Sequence, residues 1–118
     1  MTCHLYLVVL GGRIKGCNIE LHDVRWVVGE SIEDTIISLK KEWFGDKKGL
    51  HIDSYRMIEH VDGMDITVVH SPSVKIPGED YLWFVNLGGY SSQTMAEQHE
   101  FGIIVARTQQ LAKSKAKQ

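Results

Sequence analysis

The chain repeats itself. Shifting the 118-residue sequence by 77 positions lays residues 5–40 on 82–117 without a gap, and nine of the 36 aligned positions are identical. Average residue usage would give roughly two. The identities are Leu5/Leu82, Val8/Val85, Leu10/Leu87, Gly11/Gly88, Gly12/Gly89, Glu20/Glu97, His22/His99, Val28/Val105 and Lys40/Lys117. Near matches such as Tyr6/Trp83, Asp23/Glu100 and Ser31/Thr108 keep the same chemistry. A repeat constrains the fold more than composition does, because whatever the first segment forms the second must also form.

Each copy opens with a short apolar run, "LYLVVL" or "LWFVNL", expected as a strand buried on both faces. Gly-Gly follows each run and is expected to supply positive φ for a sharp exit from the sheet. "HDVRWVVG" alternates, placing His22, Val24, Trp26 and Val28 on one strand face, and "HEFGIIVA" does the same in the second copy. A helix should follow. Ser31 is its expected N-cap, Glu33 and Asp34 suit the first turn, and Ile32, Ile36, Leu39 and Trp43 form an apolar stripe that Gly45 can end. Thr108 caps a second helix with only Leu111, Ala112 and Ala116 as apolar residues.

Between the copies, Asp62-Gly63 is a two-residue hairpin signal, since a type I′ turn needs positive φ at both central residues. Its arms are expected to set Met57 opposite Val68 and Tyr55 opposite His70. "SPSVKIPGED", with both prolines, reads as a loop. The expected fold is α+β: an internal β-β-α repeat (about 5–40 and 82–117), a β-hairpin between, a mixed or antiparallel sheet, and helices mainly on one face. One domain is expected over 1–118, with repeat units at 3–45 and 81–117 and the hairpin at 50–70.

Composition narrows the function. A formal net charge of -2 gives no electrostatic footprint for nucleic acid, and only the tail "KSKAKQ" is locally basic. Cys3 and Cys17 are too few and too isolated for a disulfide framework or a metal pair. No secretory leader and no membrane span is read, so a reducing compartment, the cytoplasm, is expected.

The polar residues that could carry a site follow the repeat. Gly11 and Gly12, with Arg13 and Lys15, could form a backbone nest for an anion, but the loop leads into a strand and offers no helix N-terminus. Glu20-x-His22 and Glu97-x-His99 each set a carboxylate beside an imidazole. Such a pair can pin a long loop, work as acid and base, bind a ligand or hold a metal. The repetition favours pinning, since one active site rarely needs the same pair twice. His51-x-Asp53 is expected as a polar rim on one strand face, with Tyr55 two residues further along it. The sharper alternative combines His51 and Asp53 with His22 and Arg13 into a polar pocket on the sheet, and the candidate catalytic set is Glu20, His22, His51 and Asp53. No P-loop, nucleophile elbow, zinc-protease or dinucleotide motif is present, and no metal or cofactor is expected.

"LGGR", "NIELHDVRWVVGESIEDT", "HIDSYRMIEHVDG" and "NLGGYSSQTMAEQHEFGIIVA" resemble the bacterial family called domain of unknown function 1543. That resemblance implies members with one or two copies of the domain and no assigned activity, cofactor or catalytic residue. Longer relatives continue into another His-x-Asp segment, whose counterpart of His51 would fall at position 128 here.

The expected function is a small cytoplasmic module, non-catalytic, that binds a small molecule or another protein. An enzyme using the Glu20, His22, His51 and Asp53 cluster stands second, and a structural assembly protein third. A homodimer is expected, because no hairpin follows the second helix and the apolar strand "LWFVNL" would otherwise keep a bare edge.

Overall fold

The computed structural model of the chain describes residues 2–70 and 78–117. Its elements run β1 (His4–Arg13), β2 (Leu21–Gly29), α1 (Ile32–Glu42), β3 (Asp46–Ile58), β4 (His60–Val61), β5 (Met64–Asp65), β6 (Tyr81–Gly89), β7 (Gln98–Ala106) and α2 (Gln109–Ala116). Most of the expected loop "SPSVKIPGED" lies outside the described residues. The architecture is α+β, with antiparallel pairing and two helices. Two compact units divide the chain: β1, β2, α1 and β3 in the first, and residues 60–64 with β6, β7 and α2 in the second. No helix among the described residues is long and apolar enough to cross a membrane.

In the first unit β1 is the central strand of the order β2-β1-β3. Alternation along β1 sends Tyr6, Val8 and Leu10 to the face covered by α1, where they pack with Leu39 and Trp43 and are at most 4% exposed. Leu5, Leu7 and Val9 on the other face are half-buried, so the strand is fully buried on one side only. Thr35 is buried too, its hydroxyl donating to the Ile32 carbonyl at 2.6 Å, while Ile36 is part-exposed. Ser31 stands at the N-cap without a side-chain capping bond, and the helix stops at Trp43 in extended backbone, not at Gly45. Gly45 serves close approach instead: a Cβ there would collide with the Arg13 carbonyl.

The Gly-Gly pair does not turn the chain. Gly11 and Gly12 both lie inside β1, and the positive φ falls later, at Gly16, in the turn that Cys17 closes onto the Ile14 carbonyl at 3.1 Å. Gly12 faces α1, where a Cβ would come within 2.7 Å of Trp43 Cζ2.

The Asp62-Gly63 turn forms where expected, with φ of 51° and 77°, but its arms hold two residues each. Most of the segment read as the hairpin's first arm belongs to β3, which pairs antiparallel with β1. Tyr55 lies opposite Val8 and Met57 opposite Tyr6, not opposite His70 and Val68. A local hairpin lost to a non-local partnership because β1 offers a long apolar edge to a thirteen-residue strand.

In the second unit β6 and β7 pair with Tyr81 opposite Ala106 and Gly88 opposite His99. The corresponding pairs of the first unit are His4 with Gly29 and Gly11 with His22. Val85, Ile104, Ala106 and Ala112 form the core beneath α2, and the Thr108 hydroxyl caps that helix by accepting from Leu111 N at 3.2 Å.

The two Gly-Gly pairs predict opposite mutational outcomes. Gly12→Ala would drive a methyl into Trp43 and should destabilise by about 1–3 kcal/mol. Gly89, where an added methyl would meet nothing within 4 Å, should accept Ala within about 0.5 kcal/mol. Denaturant titration of both variants checks this, and equal effects would contradict it.

Candidate functional site

The face of β1 turned away from α1 carries the polar residues. Gly11 is opposite His22 on β2 and opposite His51 on β3, so one cross-strand row reads His22, Gly11, His51. A Cβ on Gly11 would overlap Glu20 Oε1 and lie 2.7 Å from His51 Nε2. The missing side chain is therefore the space in which Glu20 and His51 meet.

Asp53 arrives through an irregularity. Val9 is opposite Ser54 and Leu10 opposite Ile52, which leaves Asp53 as the extra residue of a β-bulge. The same bulge turns Tyr55 to the α1 face, edge-on to Tyr6 with ring centroids 6.1 Å apart. Tyr55 thus leaves the face expected for it beside His51 and Asp53.

The four side chains form one network. His51 Nε2 lies 2.7 Å from Glu20 Oε1 and 2.9 Å from Asp53 Oδ1. Asp53 Oδ2 lies 2.9 Å from His22 Nδ1. The order is acid, base, acid, base: Glu20, His51, Asp53, His22. Glu20, just before β2, therefore pairs with His51 of β3, not with His22 two residues along.

The His51 ring is held from behind as well. Its Nδ1 is 2.9 Å from the Gly49 carbonyl, an acceptor, so Nδ1 must carry a proton. That bond is the largest reason the His51 pKa is raised above the ordinary 6.5. Burial opposes the rise, and the Glu20 and Asp53 carboxylates support it.

The other sequence candidates lie elsewhere. Arg13 ends β1 opposite Asp46 and is exposed, and Lys15 is exposed in the turn beyond. The second unit places Glu97 over Gly88 and sets Glu97 Oε1 2.9 Å from His99 Nε2. There the Glu-x-His partnership forms within its own segment, with Asn86 Oδ1 3.1 Å from the second ring nitrogen. Sequence reasoning missed a cavity of about 290 Å³ in the first unit, lined by Leu10, Leu39, Lys40, Leu50 and Ile52 and touching the polar network only through His51. Its walls come from three separate elements, so no local pattern announces it.

Residues 17–68 match the family described as Domain of Unknown Function (DUF1543). A solved crystal structure, protein Il1583 from Idiomarina loihiensis, is 40% identical, with a TM-score of 0.76 over 98% of this chain and 70% of that one. The chain belongs to the DUF1543 family. No curated protein matches it. Glu20, His22, His51 and Asp53 all fall inside the segment that matches the DUF1543 description, so the network belongs to the part of the chain by which the family is recognised.

The raised pKa has a signed consequence for this DUF1543 protein. A group whose pKa rises on folding stabilises the fold fully below its unfolded value, near 6.5, and loses that contribution as pH climbs through the folded value. An NMR titration of the His51 ring should give a midpoint above 6.5, and His51→Ala should flatten the stability profile across that window. A midpoint at or below 6.5 would contradict the geometry.

Proposed function

We propose that this protein is a small, non-catalytic binding module whose site, the Glu20–His51–Asp53–His22 network, takes a small cationic group. One observation carries this reading. Glu20 Oε1 is shielded from water and has no aligned hydrogen-bond donor, although it faces His51 Nε2. Shielded carboxylate oxygens normally have a partner, and one without it marks a place where something else completes the shell. A second carboxylate on the same ring nitrogen makes the place electrostatically suited to a cation.

The non-catalytic reading is supported by the second unit, where the Gly-Glu-His arrangement recurs over Gly88 and, among the described residues, no His-x-Asp strand lies beside it. Arrangement and register both suggest two copies of one β-β-α module, with only the first equipped as a site. We place the protein in the cytoplasm, which suits its free Cys3 and Cys17. We also expect a homodimer: among the described residues β6 pairs with β7 alone, and an unpaired apolar edge invites another strand.

Gly11→Ala tests the site without dismantling the fold. The atoms its methyl would displace are the mobile ends of Glu20 and His51, so stability should change by less than about 1 kcal/mol. Binding of small amines, guanidines or divalent ions, followed by calorimetry and amide shifts, should weaken at least tenfold. Unchanged binding of every such cation in Gly11→Ala would remove the network as the site.

A further inference from the structure

We propose that Glu20 Oε1, His51 Nε2 and Asp53 Oδ1 bind a divalent first-row transition-metal ion, an inference that rests on the cation site described above and names its occupant. The tautomer of His51 is the first argument. With Nδ1 donating to the Gly49 carbonyl, the neutral ring presents the Nε2 lone pair to two carboxylate oxygens. Three lone-pair donors facing one another need a positive centre between them, which a proton on Nε2 supplies in the imidazolium and a metal ion would supply in that proton's place.

The spacing agrees. Ligands about 2.1 Å from a metal are about 3.0 Å apart at right angles and about 3.4 Å apart in a tetrahedron. The nitrogen here is 2.7 Å from one oxygen and 2.9 Å from the other, so small outward movements of flexible side chains would reach the right-angled set. All three donor atoms lie within 4.8 Å of one another, and among the described residues no second group of three such donors gathers.

Outer partners are also in place. Metal-bound imidazoles usually donate their other N–H to a carbonyl or carboxylate, and bound carboxylates are themselves hydrogen-bonded. His51 has the Gly49 carbonyl, and Asp53 has His22 Nδ1 on its remaining oxygen. These contacts fix the ring and the carboxylate independently of the cluster's inner face. One imidazole with two carboxylates suits ions from manganese to zinc. Magnesium and calcium favour an all-oxygen shell, and copper(I) favours sulfur.

Calorimetry of the full chain with zinc or manganese chloride alone should show one ion per chain. His51→Ala should weaken it by more than about a hundredfold, and His22→Gln, acting through Asp53, by about tenfold. Glu20→Gln, which keeps both histidines, should also weaken it at least tenfold. Full affinity in Glu20→Gln would overturn the proposal, because a chance histidine pair would explain the binding. Wild-type protein supplies a readout independent of any variant's folding: trace manganese should broaden the Gly11 amide and the His51 ring first. Broadening centred elsewhere would overturn the assignment. Amines or guanidines binding at Glu20 and His51 with no metal bound would overturn the metal and keep the cation site. Neither kind of cation binding there would remove both.

Discussion

Two adjacent residues without side chains hold the first unit together from opposite faces. On the α1 face, bare Gly12 lets Trp43 lie against β1, where a methyl would come within 2.7 Å of the indole. The indole N–H then donates to the Asp46 carbonyl at 3.1 Å, and Asp46 is where β3 begins. Trp43 thereby fixes the end of the helix and the entry into the next strand together. β3 runs back along β1 and delivers His51 opposite Gly11, whose own bare face leaves room for Glu20. Packing on one side of the sheet and polar chemistry on the other thus depend on the same dipeptide.

The bulge at Asp53 does the remaining work. In a regular strand His51 and Asp53 would share a face, but about 6.8 Å of backbone would separate them. As an extra residue Asp53 is free of a cross-strand partner, and its carboxylate reaches both His51 and His22. Bulges commonly re-aim side chains beside functional sites. Here the cost is a change of parity, after which Tyr55 and Met57 follow the α1 face beside Val8 and Tyr6.

That parity change explains what the sequence made legible and what it did not. Apolar runs, alternation, the Thr108 cap and the Asp62-Gly63 turn are local signals, and each lies where local chemistry puts it. The partner of β3 is not local. Period-two alternation continues through His51, Asp53 and Tyr55 in the sequence, and nothing in it marks Asp53 as the residue to be squeezed out. The glycines mislead for a related reason: Gly-Gly after an apolar run is a normal turn signal, while space for Glu20 and Trp43 exists only once three strands and a helix have assembled. The residues of the network were visible as candidates, yet their pairing, Glu20 to His51 and Asp53 to His22, was set by strand order.

The second unit isolates what strand order contributes. β6 and β7 hold Gly88, Glu97 and His99 in a register that parallels Gly11, Glu20 and His22, and Glu97 fills the same notch. Without a third strand on β6 among the described residues, Glu97 turns to His99 in its own segment. Glycine and carboxylate therefore make only a notch. Two of the three donors that give the first unit its candidate metal site, His51 and Asp53, come from β3. A gathering of that kind needs a central strand, because only there can side chains from both flanking strands converge over one missing Cβ. The strand pairing that completes the sheet is thus also the step that assembles the site, and any binding there is linked to the docking of β3 on β1.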